Sequence, residues 1–439
     1  MKKRAILCPF GISLLITLTL LSARGFCADW PQLGNGPQRW NLSTETIPPP
    51  YELKWSVNLH FDVGVEHWMY GAAQVIIADG RCYIGSRGGT LFAMDAQTGD
   101  IEWEFDTDGP IRHTAGCENG KVFVASMDGC VYALDAATGS ELWRFDNERL
   151  YGFSTAVLLA EGNVFAVDRG GYLYALSQAD GSEVWAAPYD ANAPVFQSPS
   201  YNNGKIYFGD QNMYVHAVNS SDGTGAWVSN RVNGRSFVDY YPVIWADKVI
   251  VRPRVGFEKT GTLEGYVDSF VILNESDGTE PYSVPHYHMG GWCGPIAPPS
   301  ITYDGYMVHG WKVVPDNDWS CAGFALYDLT NNQLISELKD ATSEGKGARD
   351  EPMITSTFGD IVIAIHHYSF GWGNPPGTQS GAFNRVEWDW YTSGQMQPPP
   401  DIMPWGGNLC AGGNNAVAGA NGLLYHHTLR VVYCWEPAN

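Results

Sequence analysis

The stretch "ALDAATGSELW" (133–143) nearly copies "AMDAQTGDIEW" (93–103), and its reading decides the fold. It returns as "ALSQADGSEVW" (175–185) and "AVNSSDGTGAW" (217–227), then more loosely as "ILNESDGTEPY" (272–282) and "ALYDLTNNQLI" (325–335). Taking Asp95 as marker, the equivalent positions are Asp135, Ser177, Asn219, Asn274 and Asp328. The spacings are 40, 42 and 42 residues, then 55 and 54. A near-constant period of this length marks a repeat architecture, and the longer later spacings imply insertions.

Each unit reads alike. An apolar strand follows a turn, as in "ENGKVFVAS" (118–126) and "YNNGKIYFG" (201–209). A second strand ends in Ala-x-Asp, and a turn then leads to a strand carrying Trp. Alternation sets Ala133 and Asp135 on one face and Leu134 on the other. Gly139 stands where a short hairpin needs positive φ, and Asp135 or Thr138 can bond the turn amides. A sheet of four short strands cannot bury both faces alone, so Trp103, Trp143, Trp185 and Trp227 are expected to pack against the next sheet. Four-stranded units of this size stacked around an axis make an all-β propeller.

The two ends of the chain set the blade count. "GLLYHHTLRVVYCWEPAN" (422–439) supplies strands without a final Trp-bearing one, while "YELKWSVNL" (51–59) is a Trp55-bearing strand with no predecessor. Together they complete one antiparallel blade and close the ring. One irregular blade fits at about 345–392, with "DIVIAIHHY" as a strand, which brings the expected total to eight.

The chain opens with Lys2, Lys3 and Arg4, followed by "ISLLITLTLLSA" (12–23) and small residues, the pattern of a bacterial-type signal peptide over 1–28. The apolar run is short for a bilayer span, so no transmembrane span is expected. Arg24, Gly25 and Phe26 fit a lipoprotein site at Cys27 poorly. Export would leave one propeller domain over 29–439, periplasmic or extracellular. Its removal takes four of 26 bases and none of 47 acids, leaving a net charge of −25. Such a surface repels phosphate backbones, which argues against nucleic acid as a partner. Seven cysteines remain, an odd number, with no CxxC and no CxxCH.

The Ala-x-Asp-x-x-Thr-Gly-x-x-x-Trp pattern resembles the repeat of pyrroloquinoline-quinone (PQQ) dehydrogenase propellers and their relatives, and "ADWPQLGNGPQRWN" (28–41) resembles the start of secreted PQQ-like repeat proteins. The likeness is strong over roughly 66–230 and weak over 231–420. In that family the motif Trp docks blades, which implies docking roles for Trp55, Trp103, Trp143, Trp185 and Trp227. The resemblance also implies that a PQQ enzyme would carry adjacent cysteines, a carboxylate base and a metal site. No Cys-Cys pair occurs here. The likeness therefore extends better to the non-enzymatic branch, which includes the barrel-assembly scaffold of the outer membrane. A fold does not by itself predict a reaction.

One sector invites a functional reading. Segments entering each innermost strand and leaving each second strand share one face. Into them fall His67 and His113, then "HYHMGGWCGP" (286–295), "VHGWK" (308–312), "IHHYSFGWG" (365–373), "WGGNLCAGG" (405–413) and "YHHT" (425–428). The ligand-face candidates are His286, His288, Trp292, His309, Trp311, His366, Trp372 and His426. A metal site would draw on His288, Cys293, His309, Cys410 and His426, since imidazole and thiolate suit zinc, copper or haem iron. Alternatively, His and Tyr would serve as acid and base while Trp stacks on sugar, as in a polysaccharide lyase. The plain alternative is packed, hydrogen-bonded loop residues.

The resulting expectation is a binding or scaffold protein, taking a protein partner or a carbohydrate or small-molecule ligand on the face of blades five to eight. It would be a monomer or part of an envelope complex. The alternatives are a metal- or quinone-dependent oxidoreductase and a lyase-type enzyme.

Overall fold

Short alternating apolar runs, each bounded by a turn, give every repeat strands of two to eight residues and no room for a long helix. The computed structural model describes residues 29–59, 73–237, 240–253, 267–287, 298–312, 322–339, 354–366, 379–384, 389–390, 417–427 and 430–438. These form eight antiparallel sheets that make an eight-bladed β-propeller. Blade two shows the plan. Its strands Gly116–Glu118, Lys121–Ala125, Cys130–Asp135 and Glu141–Asp146 run in order from the axis outward.

Blade one spans 76–106, blade three 158–190, blade four 200–228, blade five 243–287 and blade six 300–339. Blade seven, over 354–390, includes Ile361–His366 as its second strand. Blade eight takes three strands from 418–437 and its outer strand, Tyr51–Asn58, from near the N-terminus. Trp55 there pairs with Cys434, and the innermost strand of blade eight touches that of blade one, so the ring closes.

The motif tryptophans hold neighbouring blades together by one repeated contact. The indole N–H of Trp103 donates to Ala136 O at 3.1 Å, that of Trp143 to Gln178 O at 3.2 Å and that of Trp185 to Ser220 O at 2.8 Å. Trp227 reaches Glu275 O at 2.9 Å, and Trp55 reaches Ala96 O at 3.1 Å across the closure. Each acceptor is the residue after the marker position of the next blade. In the looser unit at 272–282 the phenol of Tyr282 does the same work, donating to Leu329 O.

The ring of each Trp also lies on the turn glycine of the next blade. At Gly139, where φ is +71, an added Cβ would stand 2.6 Å from Trp103. Blade three departs from the plan. Trp185 lies outside its regular strands, and the outer strand is only Tyr189–Asp190. Pro188 between them lacks the N–H that a ladder needs.

One feature was not expected. Residues 29–45 run around the inside of the ring and meet the blades in order. Trp30 exchanges backbone bonds with Ile77 in blade one, and Cys117 N of blade two donates to Pro31 O at 2.8 Å. The Gln32 side chain pairs with both main-chain groups of Leu159 in blade three. Tyr201, Ile244 and Ile301, in blades four to six, then donate to the carbonyls of Pro37, Gln38 and Trp40. Leu42–Ser43 adds a parallel strand to blade seven, and Glu45 accepts from Gly422 N in blade eight.

The innermost edge of a blade has no further strand to pair with, so its amides need another acceptor when buried. This belt supplies one per blade. Arg39 anchors it: fully buried, it donates to the carbonyls of Leu33, Val157 and Pro199 and to Gln32 Oε1. Burial pushes the pKa of its guanidinium down.

Candidate functional site

The belt lies at the inner strands, and the motif hairpins project on one face of the ring. The opposite face carries the segments that enter each innermost strand, and it is the one singled out above for ligand binding. Of the candidates there, His288, Trp292, Trp372, Cys293 and Cys410 lie outside the described residues, as does His67. His286, Trp311 and His366 are placed by their backbones within strands 282–287, 306–312 and 361–366.

His309 and His426 are placed in full, at the same step of the second strand in blades six and eight. The structure does not bring them together, because the whole of blade seven stands between. Both are buried in packing contacts rather than held on a loop. His309 meets Phe270 edge-on at 4.9 Å, and Arg252 lies over the same ring at 4.6 Å. His426 stacks on Tyr433 and Trp435 and accepts from the Trp435 indole at 3.1 Å.

Other buried histidines are likewise bonded. His216 contacts Asp210 Oδ2 at 3.1 Å and the Tyr189 hydroxyl at 3.0 Å, and its ring stacks on Phe208. His113 accepts from the Thr114 amide at 2.9 Å. Among the described residues no group of three or more His, Cys, Asp or Glu is placed to hold a metal ion. Asn41, which opens the glycosylation sequon Asn41-Leu42-Ser43, is fully buried and donates to the Tyr241 hydroxyl at 2.6 Å.

Sequence reasoning passed over the loop 147–153, "NERLYGF", which joins blade two to blade three on this face. Its ends are pinned. Asn147 Nδ2 donates to Tyr151 O at 2.9 Å and to Asp168 Oδ2 at 3.2 Å, while Phe153 is fully buried and its amide donates to Ser126 O. Between the pins, Leu150 is 90% exposed and Tyr151 52% exposed.

Arg149 lies 3.7 Å over the Tyr172 ring and Arg169 4.7 Å over Phe196, so two guanidinium groups flank the apolar tip. Asp168 beneath is fully buried and accepts from the Tyr172 amide and the Tyr174 hydroxyl. Burial raises its pKa above the usual carboxylate range. Its oxygens face protein donors, so it serves to hold the loop and does not present a base to solvent. The only sequence signal was a Leu-Tyr pair inside a segment that should read as a polar turn.

Comparison with known proteins bears on the same question. The sequence model of the family described as "Outer membrane protein assembly factor BamB" matches residues 33–150 and 127–252, together just over half of the 439-residue chain. No curated protein matches the sequence. BamB from Moraxella catarrhalis superposes with a TM-score of 0.57 at 14% identity, covering 88% of this chain and 100% of that one. Quinohemoprotein alcohol dehydrogenase from Comamonas testosteroni superposes at 0.60 and 14% identity, over 94% and 81% of the two chains.

A europium-containing methanol dehydrogenase gives 0.63 at 12% identity, over 93% and 98%. Such identities speak to the fold alone. Of the features that the resemblance implies for a quinone enzyme, the adjacent cysteines are the one that the sequence decides. Cys82, Cys117, Cys130 and Cys434 are single free thiols on separate strands, and the sequence holds no adjacent cysteine pair. No step is derived through that cofactor.

Proposed function

The chain belongs to the family of the outer membrane protein assembly factor BamB, and on that premise we propose that it is an exported envelope scaffold that docks a protein partner through its loop face. Residues 1–28 would be the export signal, and 29–439 the working domain. The observation that carries the reading is the tip of the 147–153 loop. Leu150 and Tyr151 stand exposed while the backbone on either side is bonded into the blades.

A large apolar side chain held rigidly in solvent gains little for the free protein. Covered by a partner it becomes a preorganised anchor, and preorganisation spares the ordering cost of binding. The flanking Arg149 and Arg169, held against aromatic rings, suit the polar rim of such an interface.

Site-specific photo-crosslinking in living cells tests the proposal. A crosslinker at Leu150 should give a discrete protein adduct, and one at Leu142, exposed on the outer wall of blade two, should give none. Leu150→Asp combined with Tyr151→Ser should abolish an adduct formed from Arg169. Equal labelling from positions 142 and 150, or none from either, would refute the assignment.

A further inference from the structure

The inner edges of the blades carry a regularity that the scaffold reading does not use. Ile77, Cys117, Leu159, Tyr201, Ile244, Ile301 and Thr357 occupy the same step of the innermost strand in blades one to seven. Every one of these amides donates to the belt: to Trp30 O, Pro31 O, the Gln32 side chain, Pro37 O, Gln38 O, Trp40 O and Asn41 O respectively. The lengths run from 2.8 to 3.1 Å. Blade eight joins through the Gly422 amide and Glu45.

From this we infer that the channel edge of the ring is a peptide-binding site whose occupant is residues 29–45 of the same chain. The belt docks and releases as one cooperative piece, coupling all eight blades. Three observations make it one piece. Neighbouring acceptors lie within one short continuous segment, Trp30 to Asn41, wound through a tight turn at Leu33–Asn35, so releasing one pulls on the next. The Arg39 guanidinium ties the belt's own turn at Leu33 to the Val157 and Pro199 carbonyls, which enter blades three and four. Trp30, fully buried, ties the first residues to Gln74 at 3.0 Å and rests 5.8 Å from Phe358 of blade seven.

Through Trp30, blade one is thereby linked to blade seven past the intervening blade eight. A second consequence concerns assembly. The acceptors come from the first residues of the described chain and the donors from every blade up to the last. The belt therefore finds its full site only when the C-terminal blade is in place, and with the closure strand Tyr51–Asn58 it completes the ring.

The test is residue-resolved amide hydrogen exchange on the full chain, wild type against Arg39→Ala. Cooperative release predicts that the amides of Cys117, Ile301 and Thr357, which Arg39 does not touch, speed up by the same factor as those of Leu159 and Tyr201. A gain of at least tenfold is expected at all five, with the second-strand amides of the same blades unchanged. Gln32→Ala, which removes only the blade-three contact and one Arg39 acceptor, is the milder second variant should Arg39→Ala fail to fold. Because it also takes away the acceptor of the Leu159 amide, the readout here is the amides of Cys117, Tyr201, Ile301 and Thr357, which should speed up together by a smaller common factor. Acceleration confined to blades three and four in either variant would overturn the inference, and so would common acceleration of all strands. A null crosslinking result at Leu150 would leave this outcome unaffected, so the two proposals fail separately.

Discussion

Two glycines in blade two offer a controlled test of how the repeat holds the ring together. Gly120 and Gly139 share a φ of +71, but a Cβ on Gly120 would meet nothing within 4 Å while one on Gly139 would stand 2.6 Å from Trp103. Alanine at either site carries the backbone cost of a left-handed residue, about 1–2 kcal/mol. At Gly139 the methyl must also displace an indole wedged between blades. Overpacking of that kind costs about 1–3 kcal/mol. A shifted ring also loses the Trp103 bond to Ala136 O, with a net value of about 1 kcal/mol.

Gly120→Ala should therefore lower stability by about 1–2 kcal/mol and Gly139→Ala by about 3–6 kcal/mol. Urea unfolding followed by far-ultraviolet circular dichroism reads both midpoints, and equal slopes ensure that the same blades unfold together. A double-mutant cycle sharpens the claim. In a Trp103→Ala background the penalty of Gly139→Ala should fall to that of Gly120→Ala, since nothing remains to collide with. Equal losses for the two single variants, or an undiminished penalty in the Trp103→Ala background, would refute the wedge argument.

Further outcomes follow from the same geometry. Glu275→Ala should cost about 2–4 kcal/mol in urea unfolding, because its buried carboxylate accepts from Asn202, Asn203 and Tyr207 of blade four, all of which lose their acceptor together. Thr138→Val should raise the Asp135 carboxyl pKa towards its ordinary value in an NMR titration, since the Thr138 hydroxyl and amide hold it below 3.8. A depressed folded pKa means the unfolded chain takes up the proton first. The turn's contribution is thus present above pH 3.8 and lost as pH falls through the folded value, and the variant should lose it at a higher pH.

Among the four described thiols, iodoacetamide at pH 8 should modify Cys130 first. Burial pushes Cys117 and Cys434 up to about 12 and holds Cys82 well above its ordinary value; Cys130 is raised too but is the one of the four that is only partly buried, and the thiolate is the reacting form. Equal rates by peptide mass mapping would contradict this.

What could be read from the chain, and what could not, divides along a physical line. The marker Asp, the turn glycine and the Trp repeat in sequence because they do the same local work in each blade, and local work leaves a periodic trace. Even the worn unit at 272–282 keeps its function, with Tyr282 for Trp. The second duty of Gly139, making room for Trp103, lies between blades and left no trace beyond the glycine itself. The belt was invisible for a related reason. Its partners are main-chain amides, which every residue has, so Pro31, Pro37 and Gln38 need no distinctive side chain to be chosen. Side chains mark it at Trp30, Gln32, Arg39 and Glu45, and none of these repeats.

The histidines show how equal register can mislead about function. His309 and His426 share the same step of the second strand in their blades. In a ring, however, equal register means positions related by rotation about the axis, and rotation by two blades carries them apart with blade seven between. Side chains converge on one ligand when they approach the axis or when neighbouring loops reach over it. A second-strand residue does neither, and its ring is spent on packing against Phe270 in one case and Trp435 in the other. A loop such as 147–153 obeys the opposite rule. It repeats nothing, so it carried no periodic signal, and it is free to differ from blade to blade because no neighbour depends on its tip. Recognition on this scaffold is therefore to be sought where the repeat breaks, at side chains like Leu150 that the architecture holds still and does not use.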